Sequence, residues 1–397
     1  MDLPNQRIYA DCAAGVAVHP AVLEEMLPYF GEAYGIPSAV YTEGVSARRA
    51  LDRARERVAA QLGACPDEIY FTSGATESNN WAIRCAAAEQ GGVLTSALEH
   101  PAVTEPCRRL AAAGKTVAYV EVLPTGELSL PSLAACLSST IPSCSLVTLM
   151  YANHETGVLQ PVREAVALAH DHGAALLCDA VQAAPTQQID AHALGVDFLS
   201  ISGHKLGAPR GIGALYVRRG TALPPLISGG GQQNGKRSGT ESVALAVALA
   251  KALELCAEQR AQNDVVKKKS ERLHARLLDL PGVCSNGWTD AAKQLPGTVN
   301  VSVDCVGGSA LVSFLDRKGI CISAGSACSS AGKRPSAVLL AMGKEEKQAM
   351  SAIRISISAQ NTDEQLTYIA DEVCAGVEIL RSLDLVGSSK YPGNGMK

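Results

Sequence analysis

A lysine and an aspartate each follow an apolar run that is typical of a β-strand. Lys205 comes after "FLSIS" and before a Gly/Pro-rich loop, and Asp179 ends the run "ALLCD". A lysine in a partly desolvated site has a lowered pKa, which favours the free amine that attacks carbonyl carbons. A loop lysine can also be exposed and idle, and an aspartate here can cap a helix. Together they are the pair that pyridoxal phosphate chemistry requires: an amine for the Schiff base and a carboxylate that keeps the pyridine nitrogen protonated.

The stretch "FTSGATESNN" offers a cradle for a phosphate. A strand, then Gly74, Ala75 and Thr76, then a helix would bring free backbone N–H groups and the positive end of the helix dipole together. An ordinary capping box is the alternative interpretation, because a Thr and a Glu also suit a helix start. Ser202 and His204, beside the lysine, are candidate further donors.

Cys328 lies among Gly, Ser and Ala in "GICISAGSACSSAGK" (residues 319–333), whereas a core cysteine normally has apolar neighbours. Such residues form a loop that can move without carrying a large apolar side chain through water. Cys321, in the apolar run "GICIS", is better explained as part of a core.

The elements that must position these residues follow an α/β pattern. Between about residues 55 and 220, helical patterns alternate with seven apolar runs, which predicts a mostly parallel sheet covered by helices. Ligands bind at the carboxyl ends of such strands. A long helix is predicted from Thr240 to the "PG" at 281–282, followed by a smaller α+β region, and the polar tail is expected to be disordered.

Composition excludes several classes of protein. The 397 residues carry a net charge of -4, which gives no general attraction to nucleic acid or to an anionic membrane. The N-terminus lacks a secretory pattern and no apolar run is long enough to span a bilayer, so the cytoplasm is expected. The 13 cysteines show no zinc-ligand spacing, so neither disulfides nor a metal site is expected.

The motifs resemble those of the cysteine desulfurases of the NifS/IscS type. They occur in that family's order over about residues 8–380: "FTSGATESNN", "EHPAV", "NHETG", "CDAVQ", "SGHK", "GIGALYVRR", "GGGQ...RSGT" and "SAGSACSS". The resemblance implies the fold type I architecture of pyridoxal phosphate-dependent transferases, with a large domain over 15–260. A small α+β domain over 1–14 and 261–384 and a disordered tail over 385–397 complete the expected organisation.

The resemblance also implies roles for single residues. Lys205 is expected to form the Schiff base, Asp179 to contact the pyridine nitrogen, His100 to stack on the cofactor ring and Gln182 to reach its phenolic oxygen. Arg354 is expected to clamp the substrate carboxylate with its bidentate fork. The residues expected to hold the phosphate are Ala75, Thr76, Ser202, His204 and, from the second subunit of a homodimer, Thr240.

By the same resemblance, Cys328 is the nucleophile that takes sulfur from L-cysteine, leaving L-alanine and a persulfide. A sulfur-acceptor protein, an iron–sulfur scaffold or a tRNA thiolation enzyme, would then receive that sulfur.

Several positions depart from the family pattern. Two asparagines usually precede the Glu of "NHETG", whereas Asn153 and His154 stand here, both as candidate cofactor contacts and His154 also as a substrate contact. An imidazole is bulkier than an amide and can titrate. Ile36 replaces an asparagine near the expected substrate mouth, and Gln233 and Asn234 stand where a charged pair is commoner.

Two other functions remain open at this point. Selenocysteine lyase, or another carbon–sulfur lyase of the same fold, would use the same cofactor groups. A catalytically weak binding or scaffold subunit would explain His154 and Ile36, although the presence of Lys205, Asp179 and Cys328 argues against it.

Overall fold

The structure is a computed structural model that describes residues 7–88, 91–141, 143–287, 290–325 and 334–388. Cys328 and residues 389–397 therefore lie outside the described residues. Within the described part of the chain, no helix is both long and apolar enough to cross a membrane.

The thirteen strands of the described residues are β1 Ile8–Tyr9, β2 Ile69–Thr72, β3 Gly92–Ser96, β4 Val117–Val120, β5 Cys144–Met150, β6 Ala175–Asp179, β7 Phe198–Ser202, β8 Gly213–Val217, β9 Val283–Ser285, β10 Thr298–Val303, β11 Ile320–Cys321, β12 Ser323–Ala324 and β13 Ala352–Ser356. The α-helices of the same residues are α1 Pro20–Met26, α2 Thr42–Gln61, α3 Ala75–Ala88, α4 Pro101–Ala112, α5 Leu130–Ala135, α6 Val162–Asp171, α7 Ala191–Leu194, α8 Val243–Gln259, α9 Asn263–Leu278, α10 Gly308–Arg317, α11 Ala337–Ala341, α12 Glu346–Met350 and α13 Asp363–Ser388.

The seven apolar runs form one sheet in the order β2-β8-β7-β6-β5-β3-β4. Its ladders are parallel except for those of β8, which is antiparallel to β7 and to β2. The central strands are buried along most of their length because helices cover both faces, as continuous apolar runs require. The predicted α/β class and the mostly parallel seven-stranded sheet are confirmed.

A second sheet, antiparallel in the order β12-β13-β10-β9, packs with α9, α10 and α13. Its core also takes Ile8 and Ala10, because β1 pairs with β11 more than 300 residues later. The N-terminal segment thus belongs to the core of this small sheet. The domain boundaries themselves stay a prediction.

One prediction about helices needs correction. The single helix predicted from Thr240 is two helices, α8 and α9, separated by a 3₁₀ turn over Arg260–Gln262. Neither Pro nor Gly marks that turn, so no break signal is visible there. At the C-terminus, α13 continues to Ser388, and the expected disorder of the tail stays a prediction.

Gln233 explains one departure from the family pattern. Strand β2 lies at the edge of the large sheet, and the Gln233 amide pairs with Phe71 in the middle of it. Gln233 Nε2 donates to the Phe71 carbonyl at 2.7 Å, and the Phe71 N–H donates to Gln233 Oε1 at 2.6 Å. The side chain thereby satisfies a pair of backbone groups that an edge strand otherwise leaves open. A charged side chain offers no such donor–acceptor pair.

Replacing Gln233 with Ala should lower the free energy of unfolding by about 2 to 4 kcal/mol, because the Phe71 N–H and C=O are left buried without partners. Guanidinium denaturation followed by circular dichroism measures the change. Gln232→Ala is the matched control, since the Gln232 Oε1 accepts one bond, from Gly239 N at 3.0 Å. Equal losses in the two variants would contradict the role given to Gln233.

Candidate active site

Lys205 emerges directly after β7, where the strand order brings several polar strand ends together. It lies in a 3₁₀ turn, Gly203–Lys205, and its Nζ donates to the carbonyl oxygens of Ala13 at 2.5 Å and Ala14 at 3.0 Å. Gln182 Nε2 donates to the same Ala13 oxygen at 2.9 Å. Lys205 and Gln182 therefore donate to the same backbone carbonyl of the N-terminal segment. Both are site residues predicted from motifs that are distant in the sequence.

Asp179 is the last residue of β6 and is buried. Its carboxylate accepts from Asn79 Nδ2 at 2.8 Å and from the Val181 N–H at 3.1 Å. Burial raises the pKa of the Asp179 carboxyl, and the Val181 N–H and then His100 oppose that shift. None of the ion pairs within the described residues includes Asp179. A cationic N–H group beside it would stabilise its ionised form.

His100 caps α4, and this fixes its tautomer. Its Nδ1 accepts from the Ala102 N–H at 3.1 Å, so in the neutral ring the proton lies on Nε2. Burial lowers the pKa of His100, an effect that Asp179 opposes and Lys205 reinforces. His100 is thus a neutral donor between the charges of Asp179 and Lys205.

The turn before α3 is the segment predicted to form a phosphate cradle. Gly74 has φ +151°, a conformation that L side chains rarely adopt, and a Cβ there would lie 3.5 Å from Ser202 Oγ. Ala75 and Thr76 open α3, so their N–H groups belong to the first turn, which has no intrahelical acceptors. Ser202 Oγ and His204 Nδ1 are 2.9 Å apart, and burial lowers the pKa of His204 to about 4. Ser202 Oγ and the start of α3 therefore border one small space, and His204 contacts Ser202 beside it.

Asn153 and His154 are used differently. The Asn153 Oδ1 accepts from the N–H groups of Glu155 and Thr156, both at 2.9 Å, and its Nδ2 donates to the Leu98 carbonyl at 3.2 Å. Its amide therefore holds the backbone of its own loop. The His154 ring instead lies edge-to-face on His100, with centroids 5.2 Å apart. Its Nδ1 is buried and has no hydrogen-bond partner in the described chain.

The predicted ability of His154 to titrate near neutrality is not what the structure indicates. Burial lowers the pKa of His154 well below its usual value, and the nearby His100, Arg354 and Lys205 lower it further. The ring is therefore neutral throughout the physiological range.

Arg354 lies on β13 with its guanidinium buried. Its NH2 group pairs with Asp11 Oδ1 at 2.7 Å, and its NH1 group donates to the His154 backbone carbonyl at 2.7 Å. Ser323 Oγ lies 3.2 Å from the NH2 group and donates to Asp11 Oδ2 at 2.7 Å. Arg354 Nε has no hydrogen-bond partner among the residues described. The fork is therefore held by protein contacts at both ends and keeps one N–H for a ligand.

One predicted site residue, Thr240, is not joined to this cluster. Thr240 is exposed and lines a cavity of about 150 Å³ with Ser73 and Arg237. The nucleophile candidate, Cys328, lies outside the described residues. Cys321 is half-buried on β11 and its Sγ contacts Arg7 at 3.2 Å, so it is at the rim of the small core rather than inside it.

The family model of the class V aminotransferases matches residues 8–369 of this chain. The chain belongs to the class V aminotransferase family. It is 41% identical to a cysteine desulfurase of Trichormus azollae over 95% of this chain and 94% of that protein. A solved NifS-like protein superposes with a TM-score of 0.86 at 34% identity, covering 94% of this chain and 99% of its own. SspA, solved in complex with cysteine, gives a TM-score of 0.77 at 33% identity over 89% of this chain and 100% of its own.

This class V aminotransferase also has site residues that the motifs did not reveal. Asp11, Ser323, Asn79 and Glu155 all contact predicted site residues. A polar residue directly after a short strand was the signal for Asp11, since "IYAD" has the same pattern as "ALLCD". The other three become visible only when distant segments are brought together.

Glu155 links His154 to α11. Its Oε1 lies 3.8 Å from His154 Nε2, and its Oε2 accepts from Ser336 Oγ, the N-cap of α11, at 2.5 Å. Burial raises the pKa of Glu155 to about 7, although Ser336 and Arg354 oppose that shift. Glu155 therefore changes its charge near neutral pH while contacting both an active-site ring and a helix cap.

The raised pKa of Glu155 predicts a pH-dependent loss of stability. Between its unfolded value near 4.5 and its folded value of about 7, the folded state binds more protons than the unfolded state, so stability falls as pH rises. Over pH 5 to 8 the Glu155 contribution should fall by roughly 2 to 3 kcal/mol. Glu155→Gln should remove this part of the slope in denaturant unfolding measured across that range.

Glu346→Gln is the matched control, because Glu346 is an exposed carboxylate on α12. It should leave the slope of stability against pH as it is in the parent protein. A Glu155→Gln variant with an unaltered slope would show that this carboxyl ionises as freely as an exposed one.

Proposed function

We propose that this protein is a pyridoxal phosphate-dependent cysteine desulfurase that converts L-cysteine to L-alanine and leaves the sulfur on Cys328 as a persulfide. The carbon–sulfur bond of the substrate breaks and a sulfur–sulfur bond to Cys328 forms. The reactants, L-cysteine and the Cys328 thiol, contain the same atoms as the products, L-alanine and the Cys328 persulfide. No external oxidant or reductant is needed.

One observation carries the proposal. Three side chains that follow different strands or turns meet at one edge of the sheet: Lys205, Asp179 and His100. The chain that carries them is 41% identical to a cysteine desulfurase. His100 interacts electrostatically with both Asp179 and Lys205, so the three groups share one site. An amine, a buried carboxylate and a neutral imidazole are the groups that this chemistry requires.

The residues present fit pyridoxal phosphate. Asp179 is buried and takes part in none of the ion pairs of the described residues, and a protonated pyridine nitrogen would supply it with a cationic N–H donor. The space in front of Gly74 is bounded by Ser202 Oγ and by the start of α3, and a Cβ at Gly74 would occupy it. A phosphate is the anion that helix N-termini of this kind accommodate. When bound, the cofactor acts as a sink for the electrons released at the substrate carbons.

Lys205 has two tasks in this proposal. Its Nζ is the amine that would hold the cofactor, and it would also hold or release a proton beside the bound substrate. The Ala13 and Ala14 carbonyls orient that nitrogen. Gln182, which shares the Ala13 carbonyl, is the proposed donor to the phenolic oxygen of the cofactor.

Arg354 is proposed to bind the substrate carboxylate, with Asp11 as a positioning residue. The ion pair with Asp11 and the bond to the His154 carbonyl fix the plane of the guanidinium before substrate arrives. A preorganised fork loses less side-chain entropy on binding a carboxylate than a mobile one. Asn153 is proposed to act on the loop backbone, and the neutral His154 ring to contact the substrate or cofactor.

A homodimer is proposed on two observations. Exposed large apolar side chains cluster between residues 23 and 45 and include Leu27, Phe30, Tyr34 and Val40. Ile36, one of the departures from the family pattern, belongs to the same exposed set. Thr240 is exposed as well, which suits a residue that would complete the phosphate site of a second subunit. The sulfur-acceptor protein and a cytoplasmic location stay predictions.

Replacing Cys328 with Ser tests the function. A hydroxyl is a far weaker sulfur acceptor than a thiolate. The variant should therefore keep the yellow colour of bound cofactor and bind cysteine, yet release little alanine and carry no persulfide, as measured by alanine assay and by mass spectrometry of the intact protein. Cys305→Ser, at an exposed cysteine, is the control and should keep full turnover.

The same variant separates the competing functions. Full alanine release from cysteine by Cys328→Ser would refute the sulfur-transfer role of Cys328. Retained activity with selenocysteine alone would be consistent with it, because selenium leaves more readily without a nucleophile. A parent protein that binds no cofactor or turns over neither substrate would instead indicate a scaffold subunit.

Replacing His154 with Ala should raise KM for L-cysteine by roughly tenfold, the equivalent of one hydrogen bond of about 1.4 kcal/mol. His154→Asn should restore most of the loss, because the amide also offers an N–H donor. Because burial keeps the pKa of His154 well below 6.5, any difference in this effect between pH 6.5 and pH 8 should come from Glu155 and should disappear in a Glu155→Gln background. Steady-state kinetics at the two pH values measures this, and an unchanged KM in the Ala variant would exclude the contact.

A further inference from the structure

A second cluster of chemically competent side chains lies at the other end of β2. Cys65 and Glu68 flank the 3₁₀ turn Pro66–Glu68 that leads into this strand, and His192 lies on α7. One ligand atom from each side chain, the Cys65 Sγ, a Glu68 oxygen and a His192 nitrogen, lies within 4.8 Å of the other two. It is the only such group of His, Cys, Asp and Glu in the described part of the chain.

Glu68 is held in place by the backbone around it. Its Oε2 accepts from the Cys65 N–H at 2.8 Å and lies 2.7 Å from His192 Nε2, and its Oε1 accepts from the Arg219 N–H at 2.9 Å. Burial opposes ionisation of Glu68, but the Cys65 and Arg219 N–H groups and the His192 ring together lower its pKa. The cluster therefore contains a fixed, negatively charged oxygen next to an imidazole and a thiol.

Tyr216 gives an independent indication of a missing partner. It is fully buried, and its hydroxyl has no hydrogen-bond partner among the residues that the structure describes. Its ring meets the His192 ring edge-to-face at 6.0 Å, and Glu68 is the charge that acts most strongly on its hydroxyl. Buried hydroxyls are nearly always hydrogen-bonded, so a polar group or an ion's water is expected beside this phenol.

We propose that Cys65, Glu68 and His192 bind one divalent transition-metal ion, with Zn²⁺ as the best match. A thiolate, an imidazole nitrogen and a carboxylate oxygen form a ligand set that favours Zn²⁺ over Mg²⁺ or Ca²⁺, which prefer oxygen ligands alone. A water molecule would complete a tetrahedral shell. Binding releases the Cys65 thiol proton and requires the unprotonated Nε2 of His192.

The site would act on the fold rather than on the reaction. β2 has four residues, so at about 3.3 Å per step its first and last residues are ~10 Å apart, and the turn before α3 lies at the far end. A metal ion here would tie the start of the edge strand β2 to α7. No sequence motif indicates this site, because His192 follows Glu68 by 124 residues. This inference is independent of the proposed function.

Metal binding by the full-length protein, loaded with cofactor, tests the site. All proteins carry Cys328→Ser, so that this thiol cannot bind metal. After chelator treatment, Zn²⁺ is titrated against a chromogenic competitor, and Co²⁺ is added separately to detect a sulfur-to-cobalt charge-transfer band. One ion per chain with that band is expected.

Cys65→Ser and His192→Gln should each weaken Zn²⁺ binding by more than about 100-fold, beyond the loss typical of an outer-shell change, and Cys65→Ser should abolish the band. The matched controls are Cys305→Ser, at an exposed cysteine, and His170→Gln, which removes a histidine 2.9 Å from Asp197. Both should bind as the parent does. His192 is half-exposed, so its variant is expected to fold even if Cys65→Ser does not.

Three results would overturn the proposal. They are the absence of a stoichiometric ion in the parent, equal loss of binding in the control variants, and full retention of binding in His192→Gln.

Discussion

A buried guanidinium constrains the whole site. The Arg354 side chain is only 6% exposed, and an unpaired charge at such a position costs several kcal/mol. Asp11 provides the counter-charge at 2.7 Å, and Ser323 Oγ and the His154 carbonyl complete the shell. These partners come from the N-terminal segment, the small sheet and the loop after β5. The charge can be buried only when all three segments are in place, so folding of the small sheet is coupled to assembly of the site.

This coupling extends to Lys205 through the N-terminal segment. Ile8 and Ala10 are fixed in the small core, Asp11 pairs with Arg354, and the next residues, Ala13 and Ala14, present their carbonyls to Lys205 Nζ. Seven residues thus connect the core of one sheet to the reactive amine at the edge of the other. Displacement of this short segment would move the Lys205 amine and the Arg354 fork together.

Local signals were enough for the large sheet and for the residues that follow its strands. Each of its strands is a continuous apolar run, and Lys205 and Asp179 stand directly after two of them, so their place at one sheet edge follows from the parallel order. Pairing over long sequence distances could not be derived in this way. Asp11 approaches Arg354 because β1 pairs with β11. Cys65 approaches His192 because the Ala191 N–H donates to the Leu62 carbonyl and joins the two segments.

Protonation states were the least accessible to sequence reasoning, because burial sets them. An imidazole in place of an asparagine suggests a side chain that gains a proton near neutral pH. Burial instead keeps His154 neutral, and it raises the pKa of the neighbouring Glu155 to about 7, so Glu155 is the group that titrates there. Glu155 Oε1 lies 3.8 Å from His154 Nε2. An ionised Glu155 favours a proton on Nε2 and leaves Nδ1 as an acceptor, whereas a neutral Glu155 does not select this tautomer. The substitution at 154 therefore adds no charge to the site but makes its hydrogen-bonding pattern depend on a neighbouring carboxyl.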